Sequence, residues 1–448
     1  MADHISFYDT RTREVRAFEP RDGGRVAIYV CGPTVYSRIH IGNARPFVVF
    51  SLLKRFLAHA GFEVFLVINV TDVNDKIYAA AGERSSVELA AAMTEAYRSD
   101  TDRLALGRPD AEPLASEWIE AIVEEIEALL DAGCAYAAGG DVYFRVRRDS
   151  AYGALSRRDV DAMDQGEDND GADLKEDPLD FALWKAHKAG EDSAWDAPWG
   201  RGRPGWHIEC SAMAEGLLGV GFDIHGGGLD LLFPHHENEA AQTRCARGHE
   251  LARHWMHNGM LASTDGEKMS KSVGNITPLH EVLDEHGRDA VILYFASAHY
   301  RQPIAFGSEQ LRQAQANVAR IREAARRLSG GDSPPALRPL RERFFEALAD
   351  DFNTPSALAA MWEWIRNANR HAPPVGDRDL REMLGVLALE NLFEVAGAPD
   401  EVVALAAARH EARTAGDYAR ADELRGRIEA AGWSVRDTPE GFELAPLR

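Results

Sequence analysis

The order of secondary-structure patterns near the N-terminus constrains the fold more than any other feature of the chain. Arg25–Val30 is a β-branched and aromatic run that predicts a strand, and residues 62–70 predict a second one. Between them, apolar residues follow helical spacing from Pro46 to a stop at Gly61. A strand, a crossover helix and a second strand build a parallel sheet, and such sheets bind ligands beyond the carboxyl ends of their strands. We therefore predict an α/β fold with a Rossmann-like parallel sheet and with Cys31 at its ligand-binding edge.

Composition narrows the class of protein. The chain has 448 residues, which implies about three or four domains of ordinary size. Its four cysteines are too few for a disulfide framework and no run of about 18 apolar residues occurs, so we expect a cytoplasmic protein with no membrane partner. Its 50 Lys and Arg residues against 72 Asp and Glu residues give a net charge of −22. That charge argues against a protein that coats nucleic acid, but it permits a local basic patch.

Two short segments are suited to binding a nucleotide. Residues 37–43 lie between a strand and a helix N-terminus, where backbone N–H groups favour a phosphate. Gly42 permits close approach there, and the imidazole of His40 can donate to phosphate oxygens. Lys268 and Lys271 lie in a flexible run that can close on a triphosphate. Alone, each segment is more typical of an ordinary turn or of a solvated basic loop.

Together, and in this order beside a parallel-sheet pattern, the two segments resemble the two signatures of class I aminoacyl-tRNA synthetases. The first signature usually ends in a histidine, and Asn43 stands there in this chain. The role of that second imidazole must therefore come from an amide or from elsewhere in the chain.

Four residues from three segments form a candidate metal site. His235 and Glu239 are four residues apart in a helix predicted to begin at Pro234, so an imidazole and a carboxylate share one helix face. Cys31, at the end of the first strand, and Cys210 can complete the set. Two thiolates and one imidazole are ligands typical of zinc.

The chain resembles the cysteinyl-tRNA synthetase family over nearly its full length. The stretches that carry this resemblance are residues 29–36, 40–46, 69–72, 205–211, 223–228, 233–239 and 268–272. The resemblance implies an enzyme that activates L-cysteine with MgATP to cysteinyl-adenylate and transfers the cysteine to the terminal adenosine of tRNA(Cys). It also implies one zinc ion per chain, which selects cysteine through its thiolate.

The resemblance further implies roles for single residues. The residues at the family's catalytic positions are His40, Lys268 and Lys271. The residues at its ATP-binding positions are Gly42, Asn43, Gly226, Asp230 and Lys271. Those at its cysteine-binding positions are Cys31, Thr71, Trp206 and His225, and those at its zinc-binding positions are Cys31, Cys210, His235 and Glu239.

The predicted organisation is a catalytic domain, an insertion, a helical bundle and a small α+β end, in an expected monomer. We assign the halves of the Rossmann catalytic domain to residues 1–120 and 196–255, separated by an inserted connective module at 121–195. A stem-contact region at 256–312 holds the two-lysine loop, a helical bundle spans 313–396, and an anticodon-binding domain spans 397–448. Helical patterns cover residues 308–328 and 417–431, and residues 433–444 predict two short strands. Residues 221–225 have a sheet-like pattern, and residues 226–228 predict a glycine-rich loop after it.

The same motifs permit two alternative functions, and one acidic segment permits two structures. The cysteine ligase of mycothiol synthesis shares the zinc and nucleotide signatures but needs no anticodon-reading end. A zinc-stabilised tRNA-binding or scaffold protein would need neither His40 nor the two-lysine loop. Residues 157–180 are strongly acidic and favour a solvated loop, although they can also pack on the inserted module. We interpret Cys134 and Cys245 as small apolar residues.

Overall fold

The computed structural model describes residues 4–162, 172–263, 277–372, 374–394, 398–438 and 441–446. The chain divides into two compact units, Met1–Glu390 and Asn391–Arg448. Lys268, Lys271 and the middle of the acidic segment lie outside the described residues. Across the described ranges, no helix combines the length and the apolar character needed to cross a membrane.

A four-stranded parallel sheet forms the centre of the first unit. Its strands, in spatial order, are β10 (Ala252–Asn258), β9 (Phe222–Gly228), β3 (Arg25–Val30) and β4 (Glu63–Ile68). Val30 pairs with both Ile68 and Gly226, so three strands end at one edge. Helix α1 (Ile41–His59) connects β3 to β4. The predicted parallel βαβ unit and the α/β class are therefore confirmed.

Helix α1 begins at Ile41, earlier than the predicted start at Pro46. The reason is the cap at His40, whose Nδ1 accepts hydrogen bonds from the backbone N–H groups of Gly42 at 3.1 Å and Asn43 at 3.3 Å. The cap satisfies the first free N–H groups of the helix and fixes its start. Pro46 therefore lies inside the helix, and the predicted boundary was wrong.

Two further boundaries differ from the sequence prediction. Residues 226–228 continue β9, although they were expected to form a glycine-rich loop. A Cβ atom at Gly226 would overlap the ring of Phe50, so the strand passes close beneath α1. Helix α6 (Glu237–Arg247) begins after Pro234, because residues Leu232–His236 form a wider π-type turn, in which Phe233 has extended angles of φ −143° and ψ 133°.

The inserted module is a second, antiparallel sheet with one helix on it. Its strands run in the order β5 (Ala135–Ala138), β6 (Asp141–Phe144), β7 (Phe181–Ala186) and β8 (Gly202–Pro204). Helix α4 (Ile119–Asp131) buries Ile122 and Ile126 in the same apolar cluster as Phe144 and Phe181. The same cluster includes Ile208 and, from α6, Ala241, so the module packs its apolar face on the catalytic part of the chain.

The C-terminal part of the acidic segment packs on this module. Asp180 is buried and accepts hydrogen bonds from the Tyr136 hydroxyl at 2.9 Å and the Val146 backbone N–H at 3.0 Å. Asp177 pairs with Arg147 at 2.6 Å. A solvated loop was therefore the wrong interpretation for these residues, because a hydroxyl, a backbone N–H and an arginine of the module bind their carboxylates.

The other elements of the first unit surround the parallel sheet. Its remaining strands are β1 (Ser6–Asp9), β2 (Glu14–Ala17), β11 (Leu261–Ser263) and β12 (Ile304–Phe306). Its remaining helices are α2 (Asp75–Ala81), α3 (Ser86–Asp102), α5 (Trp206–Leu218), α7 (Leu279–His286), α8 (Arg288–Ala296), α9 (Ser308–Arg326), α10 (Arg338–Ala349), α11 (Thr354–Ala368) and α12 (Arg378–Val386). Helix α9 confirms the helical pattern predicted over residues 308–328.

The second unit contains α13 (Asp400–Thr414), α14 (Tyr418–Ala430), β13 (Trp433–Thr438) and β14 (Gly441–Pro446). The two strands form an antiparallel hairpin, as the sequence predicts. Trp433 and Ile428 join one small apolar cluster with residues of α13.

Candidate active site and metal centre

A cavity of about 360 Å³ opens at the carboxyl end of the parallel sheet. Six residues singled out from the sequence line it: Cys31, His40, Gly42, Asn43, Trp206 and Asp230. Cys210, His235 and Glu239 are buried and are not part of its described lining. The cavity thus joins a helix N-terminus, where phosphates bind readily, to residues with metal-ligand chemistry.

The helix end of the cavity is built around His40. Because its Nδ1 accepts from the backbone N–H groups of Gly42 and Asn43, the neutral ring carries its proton on Nε2. The Asn43 side-chain oxygen in turn accepts a hydrogen bond from the backbone N–H of His40 at 3.2 Å. The Asn43 side chain therefore completes a reciprocal cap with the His40 backbone, which is a structural use for the amide at this position.

The predicted metal ligands converge below the cavity. The ligand atoms of Cys31, Cys210, His235 and Glu239 all lie within 4.8 Å of one another. Glu239 Oε1 is 3.4 Å from Cys31 Sγ and 3.2 Å from His235 Nε2. Cys31 follows β3, Cys210 lies on α5, and the other two belong to the turn and first residues of α6.

A second set of four residues satisfies the same geometric test. Cys31, His225, His236 and Glu239 also have ligand atoms within 4.8 Å of one another. His225 Nε2 is 2.9 Å from Glu239 Oε2, and His236 Nδ1 is 2.8 Å from His257 Nε2. The sequence prediction missed this set, because His225 and His236 come from different elements and no spacing pattern links them.

The protonation states of the four predicted ligands suit a zinc ion. Burial lowers the pKa of His235 to about 3, so its imidazole is neutral. Burial alone would raise the pKa of Glu239, but His225 and His235 hold it below its usual value. Burial raises the pKa of the Cys31 and Cys210 thiols. Thiols in such surroundings become thiolates only beside a cation, so the donor set fits a buried divalent metal.

Trp206 forms a wall between the cavity and the buried ligands. Its indole stacks on the His235 ring at a centroid distance of 4.4 Å and an interplanar angle of 22°. The ammonium of Lys76 lies 5.6 Å from the centroid of the Trp206 ring, and Lys76 also lines the cavity. The sequence prediction missed Lys76. Its place in the first turn of α2, just after the carboxyl end of β4, is the signal that points to it.

Besides Cys210, His235 and Glu239, three further predicted site residues lie outside the described cavity lining. Thr71 is buried, and its hydroxyl accepts from the Asn69 side-chain amide at 3.4 Å. His225 stacks on Trp255 at 4.4 Å and contacts Glu239 behind the cavity. Gly226 lies beneath α1, where a larger residue would meet Phe50.

Comparison with known families gives matches over most of the chain. Residues 17–316 match the class I (C) tRNA synthetase catalytic domain, residues 343–397 match the DALR domain, and residues 396–443 match the cysteinyl-tRNA ligase anticodon-binding domain. The chain belongs to the cysteine–tRNA ligase family. This confirms the resemblance inferred from the sequence motifs and the enzyme class, an ATP-dependent aminoacyl-tRNA ligase.

Curated cysteine–tRNA ligases are similar to this chain over nearly their whole length. The chain is 46% identical to the cysteine–tRNA ligase of Parvibaculum lavamentivorans, covering 98% of this chain and 97% of that one. It is 40% identical to the cysteine–tRNA ligase of Caldicellulosiruptor saccharolyticus, covering 99% and 100%.

Solved structures of other synthetases share the fold. Methionyl-tRNA synthetase of Mycobacterium tuberculosis in complex with methionyl-adenylate superposes with a TM-score of 0.60, at 16% identity, over 82% of this chain and 88% of that one. A leucyl-tRNA synthetase of Agrobacterium radiobacter in a ternary complex gives a TM-score of 0.60, at 11% identity, over 84% of each chain. These structures confirm the predicted class I fold.

Proposed function

We propose that this chain attaches L-cysteine to tRNA(Cys) in two steps, with MgATP as the energy source and one zinc ion for selection of cysteine. The observation that carries the proposal is the convergence of Cys31, Cys210, His235 and Glu239 within 4.8 Å beside a helix N-terminus suited to phosphates. The relatives named cysteine–tRNA ligase support the same activity.

Selection of cysteine over serine is the hardest requirement, since the two side chains have nearly the same shape. An apolar pocket separates such groups by only about 1–3 kcal/mol. A bound zinc ion lowers the pKa of a thiol enough to hold a thiolate at neutral pH, whereas a serine hydroxyl stays protonated and is a poor ligand. We therefore expect that this enzyme needs no editing site.

The protein side chains orient the substrate beside the metal ligands. Cys31 is the one predicted ligand in the described lining of the cavity, so the substrate thiol approaches the cluster on that side. Trp206 packs on His235 and narrows the cavity next to it. His225 supports this wall from behind, because it contacts Glu239, which in turn contacts His235. We assign Thr71 to the cysteine pocket because it follows the carboxyl end of β4.

Activation takes place at the helix end of the cavity. The cysteine carboxylate attacks the α-phosphate of MgATP in line, and the bond to pyrophosphate breaks as the new O–P bond forms. His40 donates from Nε2 to the phosphate oxygens, beside the N-terminus of α1 at Gly42 and Asn43. Lys268 and Lys271 neutralise the charge that develops. Asp230 lines the ATP site, and Gly226 contributes from behind the lining by leaving room for Phe50 of α1.

Transfer follows from the same site. The terminal ribose hydroxyl of tRNA attacks the carbonyl carbon of the mixed anhydride, and AMP leaves. The second unit contacts the anticodon, which is supported by its match to an anticodon-binding domain over residues 396–443.

The test is cysteine-dependent exchange of pyrophosphate into ATP, run with cysteine and with serine, followed by charging of tRNA(Cys). We expect exchange with cysteine alone, and charging. Exchange without charging would favour a ligase with a different acceptor, and the absence of exchange from zinc-loaded protein would contradict the proposal.

A matched pair of variants isolates the thiol cluster. Cys210→Ser should lose zinc and reduce cysteine-dependent exchange by more than about 100-fold, because losing even an outer partner of a metal ligand typically costs about 10- to 100-fold. Cys134→Ser removes another buried thiol, one that belongs to the apolar module cluster, and should retain zinc and exchange. Equal losses in both variants would contradict the assigned role of Cys210.

A further inference from the structure

A second large cavity lies away from the catalytic one, between helices α8, α9 and α11. It measures about 610 Å³, and we call it the helical groove. Its floor is apolar, formed by Leu293, Ala314 and Leu358, and its walls carry Gln310 and Trp362. The catalytic cavity and the helical groove share no described lining residue.

Trp362 is placed in the groove by the turn of α11. Trp364, two residues further on, is fully buried and donates from its indole N–H to Asp379 at 3.2 Å. Two positions along a helix rotate a side chain by roughly 200°, so Trp362 points away from that core. Trp362 therefore offers an aromatic surface that the packing of the bundle does not require.

The groove wall also holds an unused hydrogen-bonding atom. Gln310 Oε1 is buried and has no hydrogen-bond partner among the described residues. Leaving a buried amide oxygen without a hydrogen-bond partner costs free energy. A ligand N–H group that donates to this oxygen would remove that cost. The wall therefore suits a planar ligand that is apolar on its faces and polar at its edge.

Arginine side chains from α9, from the residue after it and from α11 line a smaller cavity beside the groove. This cavity of about 130 Å³ is lined by Arg320, Arg327 and Arg366, and Trp362 lines both cavities. The Arg320 guanidinium lies 4.9 Å from the centroid of the Trp362 ring. Within the described part of the chain, neither Arg320 nor Arg366 has a carboxylate within 4.0 Å, whereas Arg327 pairs with Glu323 at 2.6 Å.

We propose that the helical groove binds an unpaired nucleotide of the tRNA, an inference that rests on the proposed function. The base stacks on Trp362 and meets Gln310 with its polar edge, while Arg320 and Arg366 bind the flanking phosphates. Stacking on an aromatic ring with arginines on the backbone is the chemistry by which proteins hold unpaired nucleotides. On a chain whose net charge is −22, Arg320 and Arg366 have no carboxylate partner among the described residues. These two positive charges favour a polyanion over an apolar peptide as the ligand.

The experiment measures binding of a tRNA(Cys) transcript to the full-length protein over a series of salt concentrations. Trp362→Ala should weaken binding by roughly 5- to 150-fold, the range for loss of one stacked base, with no change in the salt dependence. The double variant Arg320→Gln/Arg366→Gln should weaken binding and flatten the slope of log affinity against log salt by about 0.7 per lost contact.

Controls separate binding from folding and from loss of charge alone. Trp362→Phe retains a stacking surface and should bind within a few-fold of the wild type. Arg338→Gln removes an exposed arginine that does not line either cavity and should leave the affinity and the slope unchanged. Cysteine-dependent pyrophosphate exchange, which needs no tRNA, should remain at the wild-type rate in all groove variants.

The outcomes distinguish this inference from the proposed function. If the wild type charges tRNA(Cys) but Trp362→Ala and the double variant bind it with unchanged affinity, the groove proposal is overturned while the proposed function stands. Equal weakening by Arg338→Gln would also overturn it, because the effect would then be one of net charge. A wild-type protein that neither binds nor charges tRNA would overturn both.

Discussion

Two regions of the first unit bury the same kinds of side chain in different surroundings. The metal cluster holds the thiols of Cys31 and Cys210 with Glu239. The contact between the inserted module and α6 holds the thiols of Cys134 and Cys245, with Glu125 buried where α4 meets α5 and α6. Each region therefore holds two thiols and a buried carboxylate, with Cys245 only half-buried, and the groups around each carboxylate differ.

The neighbours decide the state of each carboxylate. His225 and His235 hold the pKa of Glu239 below its usual value. Burial and the nearby Glu215 raise the pKa of Glu125, and neither of its carboxylate oxygens has a hydrogen-bond partner among the described residues. The first site therefore presents an ionised ligand, whereas the second favours a neutral acid. Imidazoles, rather than thiols, distinguish a metal site from a buried polar contact.

The largest expected effect tests which imidazole completes the metal site. His235 Nε2 lies 3.2 Å from Glu239 Oε1, whereas His236 Nε2 lies 3.9 Å from it and its other ring nitrogen contacts His257. We expect His236→Ala to weaken zinc binding by about 10- to 100-fold, as an outer partner does, and His235→Ala to weaken it further. Competition with a chromophoric chelator measures both affinities. The reverse ranking would assign the metal to the set that contains His225 and His236.

The next prediction separates the two ends of the catalytic cavity. A Cβ atom at residue 42 would lie 2.9 Å from the His40 ring, so Gly42→Ala must displace the imidazole. We expect pyrophosphate exchange to fall by about 100-fold, the typical cost of one lost donor to developing charge, with zinc content unchanged. Gly385→Ala, in a helix with open space around the glycine, should leave both unchanged. Loss of zinc from Gly42→Ala would show that the two ends are coupled.

The third prediction concerns the module contact. Because the pKa of Glu125 is raised in the folded state, its ionisation destabilises the fold as pH rises from the unfolded pKa, near 4.5, toward the folded value. Glu125→Gln cannot ionise, so its stability relative to the wild type should increase between pH 5 and pH 8 by about 1–3 kcal/mol. Urea unfolding at both pH values measures this difference. Glu124→Gln, at the neighbouring exposed residue, should show no such trend.

Local patterns in the sequence predicted those parts of the molecule that depend on neighbours along the chain. The strand Arg25–Val30, helix α9 and the C-terminal hairpin have the predicted positions because their patterns are continuous. The start of α1 was wrong because the cap at His40 outweighs the preference of Pro46 for a first turn. The four ligand candidates were found through residue chemistry and a family resemblance. The second histidine set and the helical groove were missed, because each depends on side chains that only the fold brings together.

The smallest expected effect lies at the wall of the metal cluster. Trp206 is held between the ring of His235 and the ammonium of Lys76. An exposed cation–π contact stabilises by about 0.5–1 kcal/mol, so Lys76→Met should raise the KM for cysteine by roughly 2- to 5-fold, with the zinc content unchanged. Lys76→Arg keeps the cation over the indole and should stay near the wild-type value. A loss of zinc in Lys76→Met would mean that the metal ligands depend on the Trp206 wall for their positions. The contrast between the metal cluster and the module contact would then include residues at the surface of the cavity.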